Sequence, residues 1–194
     1  MEKKDVIEFF DRYAPQWDAE TIHDDEKINF ILDCGGITHG ANVLDVACGT
    51  GVLFPDYLAR GVGQLTGVDI SPEMVKRANQ KVHEFGAKVL CGDIMDMSFD
   101  EPFDCVMLYN AFPHFPDPEG LLLRLSACLK PGGRLTIAHG MSRAQLDAHH
   151  SVTAEKVSLK LMHEDQLATL FSPYLDVNIK ISNSEMYIVS GIKR

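Results

Sequence analysis

The segment Val43-Leu44-Asp45-Val46-Ala47-Cys48-Gly49-Thr50-Gly51 constrains this chain more than any other, because an apolar strand runs into a glycine-rich turn and then into a helix. Such a unit belongs to an open α/β sheet, where ligands bind beyond the carboxyl ends of the strands and the first strand–helix turn is the usual seat. Gly49 and Gly51 let a ligand approach the main chain. Asp69, twenty positions after Gly49, closes the second predicted strand at the separation from which a carboxylate holds ribose hydroxyls. The dinucleotide fingerprint requires a further glycine or alanine, whereas Gly51 is followed by Val52, Leu53 and Phe54, which argues against a pyrophosphate ligand. Asp45, just before the turn, suits a cationic ligand better than an anionic one.

The rest of the chain repeats the same alternation. Strands are predicted at Asn42–Ala47, Gln64–Asp69, Ala87–Cys91, Phe103–Tyr109 and Arg134–His139, with two more near Asp176–Ser182 and Glu185–Ile192. Helices fall at 4–13, Lys27–Cys34, Val52–Arg60, Pro72–Phe85, Pro118–Leu129, Ser142–His150 and Glu164–Phe171, with Ser71 and Asp117 as N-caps and Pro131-Gly132-Gly133 as a turn. Asn183-Ser184 reads as a short hairpin connection, which puts an antiparallel strand on a parallel sheet. The expected fold is therefore α/β and doubly wound, with a mostly parallel seven-stranded sheet carrying one antiparallel strand. The 194 residues suit a single domain.

These residues resemble the class I S-adenosylmethionine-dependent methyltransferases, small-molecule type, whose glycine motif matches Leu44–Gly51; the likeness runs from about residue 9 to about residue 138. The resemblance implies the Rossmann-like methyltransferase fold, with S-adenosylmethionine as cofactor and a small-molecule methyl acceptor. By the same likeness Ala47, Cys48 and Gly49 line the methionine portion, Asp69 accepts both ribose hydroxyls, and Ile70 packs on adenine. Asp93 and Ile94 resemble the pair that reads the adenine edge, and Asn110 matches the position beneath the methionyl group. Phe10-Asp11-Arg12-Tyr13-Ala14-Pro15-Gln16-Trp17-Asp18 looks like the lid of quinone-biosynthesis methyltransferases, so residues 1–36 are expected to form a helical lid. The faces of Tyr13 or Trp17 would then stabilise the sulfonium cation.

On the acceptor side the sequence becomes individual, and residues 139–172 read as an acceptor-side insertion. His114 follows the fourth strand and His139 ends the fifth, so both are expected at the ligand edge. Either is a candidate base, since imidazole titrates near neutrality. A divalent metal held by some of His114, His139, Asp147, His149 and His150 is a second reading, with His139, His149 and His150 the first candidates; a third is that these histidines are structural or solvent-exposed. Arg143 suits a carboxylate or phosphate on the acceptor, or else pairs with Asp147 four positions on.

A formal charge of −10 with no basic run disfavours nucleic acid and anionic membranes, and no apolar stretch reaches the length of a membrane span. The acidic N-terminal segment lacks the apolar centre of a secretory signal, so a cytoplasmic location is expected. Cys34, Cys48, Cys91, Cys105 and Cys128 include no CxxC pair and read as buried free thiols. A monomer or homodimer fits these features. The rival to an enzyme is a protein that keeps the cofactor fold as a non-catalytic sensor or partner.

Overall fold

β-Branched and apolar residues dominate five strands that the computed structural model, which describes residues 1–82 and 87–194, aligns in parallel: β1 (Asn42–Val46), β2 (Gln64–Asp69), β3 (Lys88–Cys91), β4 (Phe103–Tyr109) and β5 (Leu129–His139). A hairpin of β6 (Leu175–Ser182) and β7 (Tyr187–Lys193) completes a seven-stranded sheet in the order β3-β2-β1-β4-β5-β7-β6. β7 is antiparallel to both of its neighbours and runs alone against the other six strands. The order reverses between β1 and β4, which opens a crevice beyond the carboxyl ends of the central strands.

The central strands are apolar on both faces because helices cover both. Leu44, Val46, Val106, Leu108, Leu135 and Ile137 point to one core, which α6 (Pro118–Ala127) fills with Leu121, Leu122 and Leu125 and α8 (Glu164–Phe171) with Leu167 and Phe171. Val43, Cys105, Met107 and Ile188 point to the other, against α3 (Asp25–Cys34), α4 (Phe54–Ala59) and α5 (Pro72–Val82). Each fully buried Leu or Phe contributes on the order of 1.5–3 kcal/mol. The remaining helices are α1 (Lys3–Tyr13), the single turn α2 (Trp17–Glu20) and α7 (Arg143–Thr153), with a 3₁₀ turn at Phe112–His114.

Local chemistry sets the boundaries. Asp24, Ser71, Asp117 and Ser142 accept from backbone N–H groups one turn into their helices, and Ser142 forms a full capping box with Gln145. The helix predicted at Val52–Arg60 starts later, at Phe54, because the glycine turn continues through Leu53. The helix predicted to Phe85 is described to Val82; the remainder of that prediction lies outside the described residues. β5 begins at Leu129 instead of Arg134: Phe103 pairs with Leu129 and Cys105 with Arg134, so Pro131-Gly132-Gly133 bulges out within the strand. The connection between β6 and β7 is four residues long instead of two, because the Asn183 carboxamide oxygen accepts from the N–H groups of Glu185 and Met186. Cys91 is exposed, contrary to expectation, since β3 is an edge strand; the other four thiols are buried. Among the described residues no helix is long and apolar enough to cross a membrane.

Candidate active site

Register places the ends of β1, β2 and β4 side by side, with Val46 level with Val68 and Leu108. The turn beyond β1 is built on left-handed backbone: φ is +53° at Ala47, +56° at Gly49 and +76° at Gly51. For Ala47 that conformation is strained, and such strain concentrates at functional sites. Asn110, at the matching end of β4, is also left-handed, which Asn tolerates better. Its carboxamide oxygen accepts from Gly140 N–H at 2.9 Å and ties β4 to the end of β5.

Between these strand ends lies a crevice of about 260 Å³. Asp45, Ala47, Cys48, Gly49 and Asn110 line it, as do Asp69 and Ile70 from the end of β2 and Asp93 and Ile94 from beyond β3. Asp69 is 7% exposed, and its two oxygens accept from Gly49 N–H at 2.8 Å and Ser71 N–H at 2.9 Å. Burial lifts its pKa to about 6 against the lowering effect of those donors. Asp45 is also buried and held well above the usual carboxylate range, first by desolvation and then by the neighbouring Asp69 charge. Both causes favour the neutral form of the Asp45 carboxyl, which leaves Asp69 as the carboxylate that charges first. Asp93 accepts from Met95 N–H and forms an ion pair with Lys3 at 2.5 Å.

The N-terminal residues cover this crevice. Phe10, Trp17 and Thr21 line it, as do Met1, Lys3 and Val6. The cover is fastened by polar contacts that the sequence reading missed: Asp11 accepts from Ser71 Oγ at 2.5 Å and Glu73 N–H at 3.1 Å at the start of α5, and Arg77 Nε donates to the Ala14 carbonyl at 2.8 Å. Asp18 accepts from Thr50 Oγ and from Lys81 Nζ, the latter at 2.9 Å. The 1–36 segment is divided in its placement, since α3 packs into the core and only residues before it reach the crevice. Tyr13 does not line the crevice; its ring packs on Phe9, and Phe10, three residues earlier and so on the adjoining helix face, faces the cavity. Gly51 also lies outside the lining, packed on Phe54.

Among the described residues, His114 alone of the histidines lines the crevice. Its ring meets Phe10 edge to face at 4.9 Å and His150 at 5.2 Å, and Nδ1 lies 2.7 Å from the Val157 carbonyl oxygen. Burial lowers its pKa to about 4, partly offset by that hydrogen bond. His139 is fully buried behind it, with neither ring nitrogen hydrogen-bonded, beside Tyr187 at 6.1 Å, and desolvation pushes its pKa down to about 3. The strand end does bring it to the correct edge, but the imidazole is fully buried, next to its cross-strand partner Tyr187 on β7. His150 is buried, and His149, next to it, is exposed. Among the described residues no three His, Cys, Asp or Glu side chains are brought together in a way that could hold a metal ion, His139, His149 and His150 included. Arg143 faces neither the crevice nor Asp147: Nη1 donates to Glu164 on α8 at 3.4 Å, and Asp147 instead accepts from Leu161 N–H at 2.9 Å.

Comparison with known proteins adds independent findings. Residues 44–137 match a family model described as a methyltransferase domain. A ubiquinone biosynthesis O-methyltransferase of Xanthomonas euvesicatoria pv. vesicatoria (strain 85-10) is 37% identical over 103 residues. That stretch covers 51% of this chain and 43% of the relative, so the match spans under half of the relative's length. Among solved structures, the complex of the Haloferax volcanii Trm112 methyltransferase activator with a putative methyltransferase matches with a TM-score of 0.80 at 22% identity, covering 97% of each chain. The N-methyltransferase NodS from Bradyrhizobium japonicum WM9 in complex with S-adenosyl-L-homocysteine matches with a TM-score of 0.77 at 15% identity, over 97% of this chain and 98% of that one. The fold is the Rossmann-like fold that these structures share.

Proposed function

We propose, from the match of residues 44–137 to a family model described as a methyltransferase domain, that the protein transfers the methyl group of S-adenosylmethionine to a small-molecule acceptor by in-line displacement. The observation that carries the proposal is Asp69, a buried carboxylate at the end of β2 that faces the crevice twenty residues after Gly49 and accepts that glycine's N–H. Each of its oxygens keeps a lone pair for a ribose hydroxyl. Ile70 and Ile94 provide apolar surface for adenine, Ala47 and Gly49 leave the main chain bare for the methionyl portion, and Asn110 lies beneath it. When bound, S-adenosylmethionine supplies a methyl group already activated by the sulfonium, so alignment alone accounts for a large part of the rate. Phe10 and Trp17 exclude water and set aromatic faces toward the cation. His114 accepts the proton that the acceptor loses. The relative's name points to oxygen as the atom methylated.

No metal takes part in this reading, and action as a monomer or a homodimer in the cytoplasm belongs to the same proposal. Isothermal titration of the parent and Asp69→Ala with S-adenosylmethionine and S-adenosylhomocysteine tests it. Two charge-assisted hydrogen bonds are at stake, so the variant should bind at least ~10-fold more weakly. A parent that binds neither compound, or a variant that binds equally well, sinks the proposal. Transfer of a labelled methyl group into small molecules of a cell extract then separates an enzyme from a cofactor-binding sensor.

A further inference from the structure

We propose that Asp147 is a positioning residue for His114, acting through the main chain of residues 157–161 so that the acceptor must present a proton. The proposal rests on the reading of the crevice as a methyl-transfer site. A carbonyl oxygen can only accept, so the 2.7 Å contact between His114 Nδ1 and the Val157 oxygen places the imidazole proton on Nδ1. Ser158 Oγ stands on the same nitrogen at 3.1 Å. The neutral ring is left with a bare Nε2, for which the described residues supply no partner, on a side chain that lines the crevice. That nitrogen is an acceptor and nothing else.

The segment that imposes this tautomer is itself held at two points. Leu159 N–H donates to the Pro113 carbonyl at 2.8 Å, which fixes the segment to the 3₁₀ turn carrying His114. Leu161 N–H donates to Asp147 Oδ1 at 2.9 Å, which fixes it to α7. Phe10 from α1 and His150 from α7 close the two sides of the ring, and neither is an acid that could pair with an imidazolium.

The consequence is a rule for the acceptor. A hydroxyl, thiol or amine N–H satisfies the bare nitrogen, whereas a carboxylate sets lone pair against lone pair. Of Lys and Arg side chains only Lys3 is among the described residues lining the crevice, and it is already paired with Asp93, so no free cation compensates an anion. For a hydroxyl acceptor the step balances as follows: the oxygen–methyl bond forms, the sulfur–methyl bond breaks with its electron pair going to sulfur, and the hydroxyl proton passes to Nε2 and then to solvent.

Nitrogen-15 NMR of histidine-labelled protein, with His114→Gln to assign the signals, reads the tautomer without any turnover. The parent should show a protonated Nδ1 and a bare Nε2 at His114, Asp147→Asn should keep that pattern because its carboxamide oxygen still accepts, and Asp147→Ala should lose it. Should the alanine variant not fold, Asp147→Ser, too short to reach Leu161 N–H, replaces it. Catechol should shift the Nε2 signal, and benzoate should bind at least ~10-fold more weakly, about 1.4 kcal/mol. A protonated Nε2 in the parent, an unchanged tautomer in a folded Asp147→Ala or Asp147→Ser, or equal shifts with catechol and benzoate overturns the inference. Because the tautomer is read in free protein, its outcome is independent of whether S-adenosylhomocysteine binds.

Discussion

Asp69 shows how a single residue combines structural and binding roles. Burial raises its pKa to about 6 even though two N–H groups favour the charged form, and only the carboxylate can accept from two ribose hydroxyls. Affinity for S-adenosylhomocysteine should therefore fall as the pH drops through about 6, and Asp69→Asn should bind weakly with a flatter profile, as titration between about pH 7.5 and pH 5 will show. Gly51 makes a different point. It shares a left-handed backbone with Gly40, at φ +76° and +79°, but a Cβ on Gly51 would stand 2.5 Å from the Phe54 ring while one on Gly40 meets nothing within 4 Å. Gly40→Ala should cost about 1 kcal/mol of strain, and Gly51→Ala clearly more, ~2–4 kcal/mol, because a buried ring must also move. Urea denaturation of both variants checks the difference; equal losses would mean that Phe54 yields freely. The glycine turn and the strand-end Asp were legible because spacing alone marks them, whereas the Phe54 contact is a matter of packing.

At the scale of elements, the N-terminal cover is held by side chains that no motif announced. Asp11 reaches the start of α5, Arg77 returns from α5 to the Ala14 carbonyl, and Asp18 reaches Thr50 and Lys81. Removing one fastening should loosen the cover more than the domain, since α1 packs through a small cluster of its own, Val6 with Ala154 and Val157, separate from the two large cores. Arg77→Ala should release S-adenosylhomocysteine several-fold faster with little change in the urea midpoint of the free protein. Trp17, the only tryptophan and itself part of the cover, supplies the fluorescence signal for stopped flow. An unchanged release rate would show that the segment does not control exit. The same scale explains Arg143 and Asp147: four residues apart on α7, they are drawn to Glu164 and to Leu161 N–H because α8 and the 157–161 segment pack against the helix. Helical spacing makes two residues neighbours without making them partners.

Across the whole molecule, buried histidines tie stability to pH. His114 and His139 have folded pKa values of about 4 and about 3, below the ordinary 6.5, so on acidification the unfolded chain takes up protons that the folded chain refuses, and each contributes a loss of stability from about pH 6.5 downward. Asp69 and Asp45 act in the opposite sense, because their raised values let the folded state bind protons first. Comparison with a variant isolates the histidine effect: relative to the parent, His139→Leu should gain stability as the pH falls from about 6.5 to about 4.5, by up to ~1.4 kcal/mol per pH unit. A constant difference in denaturation midpoints across that range would contradict it. The sequence by itself determined the layered α/β fold, the antiparallel last strand and the glycine–aspartate seat, because these depend on periodicity and on residues close to one strand end. Only the tertiary structure decided that His114 faces the crevice while His139 is buried beside Tyr187, that Phe10 replaces Tyr13, and that Arg143 turns away. Those outcomes depend on which distant surfaces meet, and side-chain direction within a packed core is set by neighbours that chain order does not name.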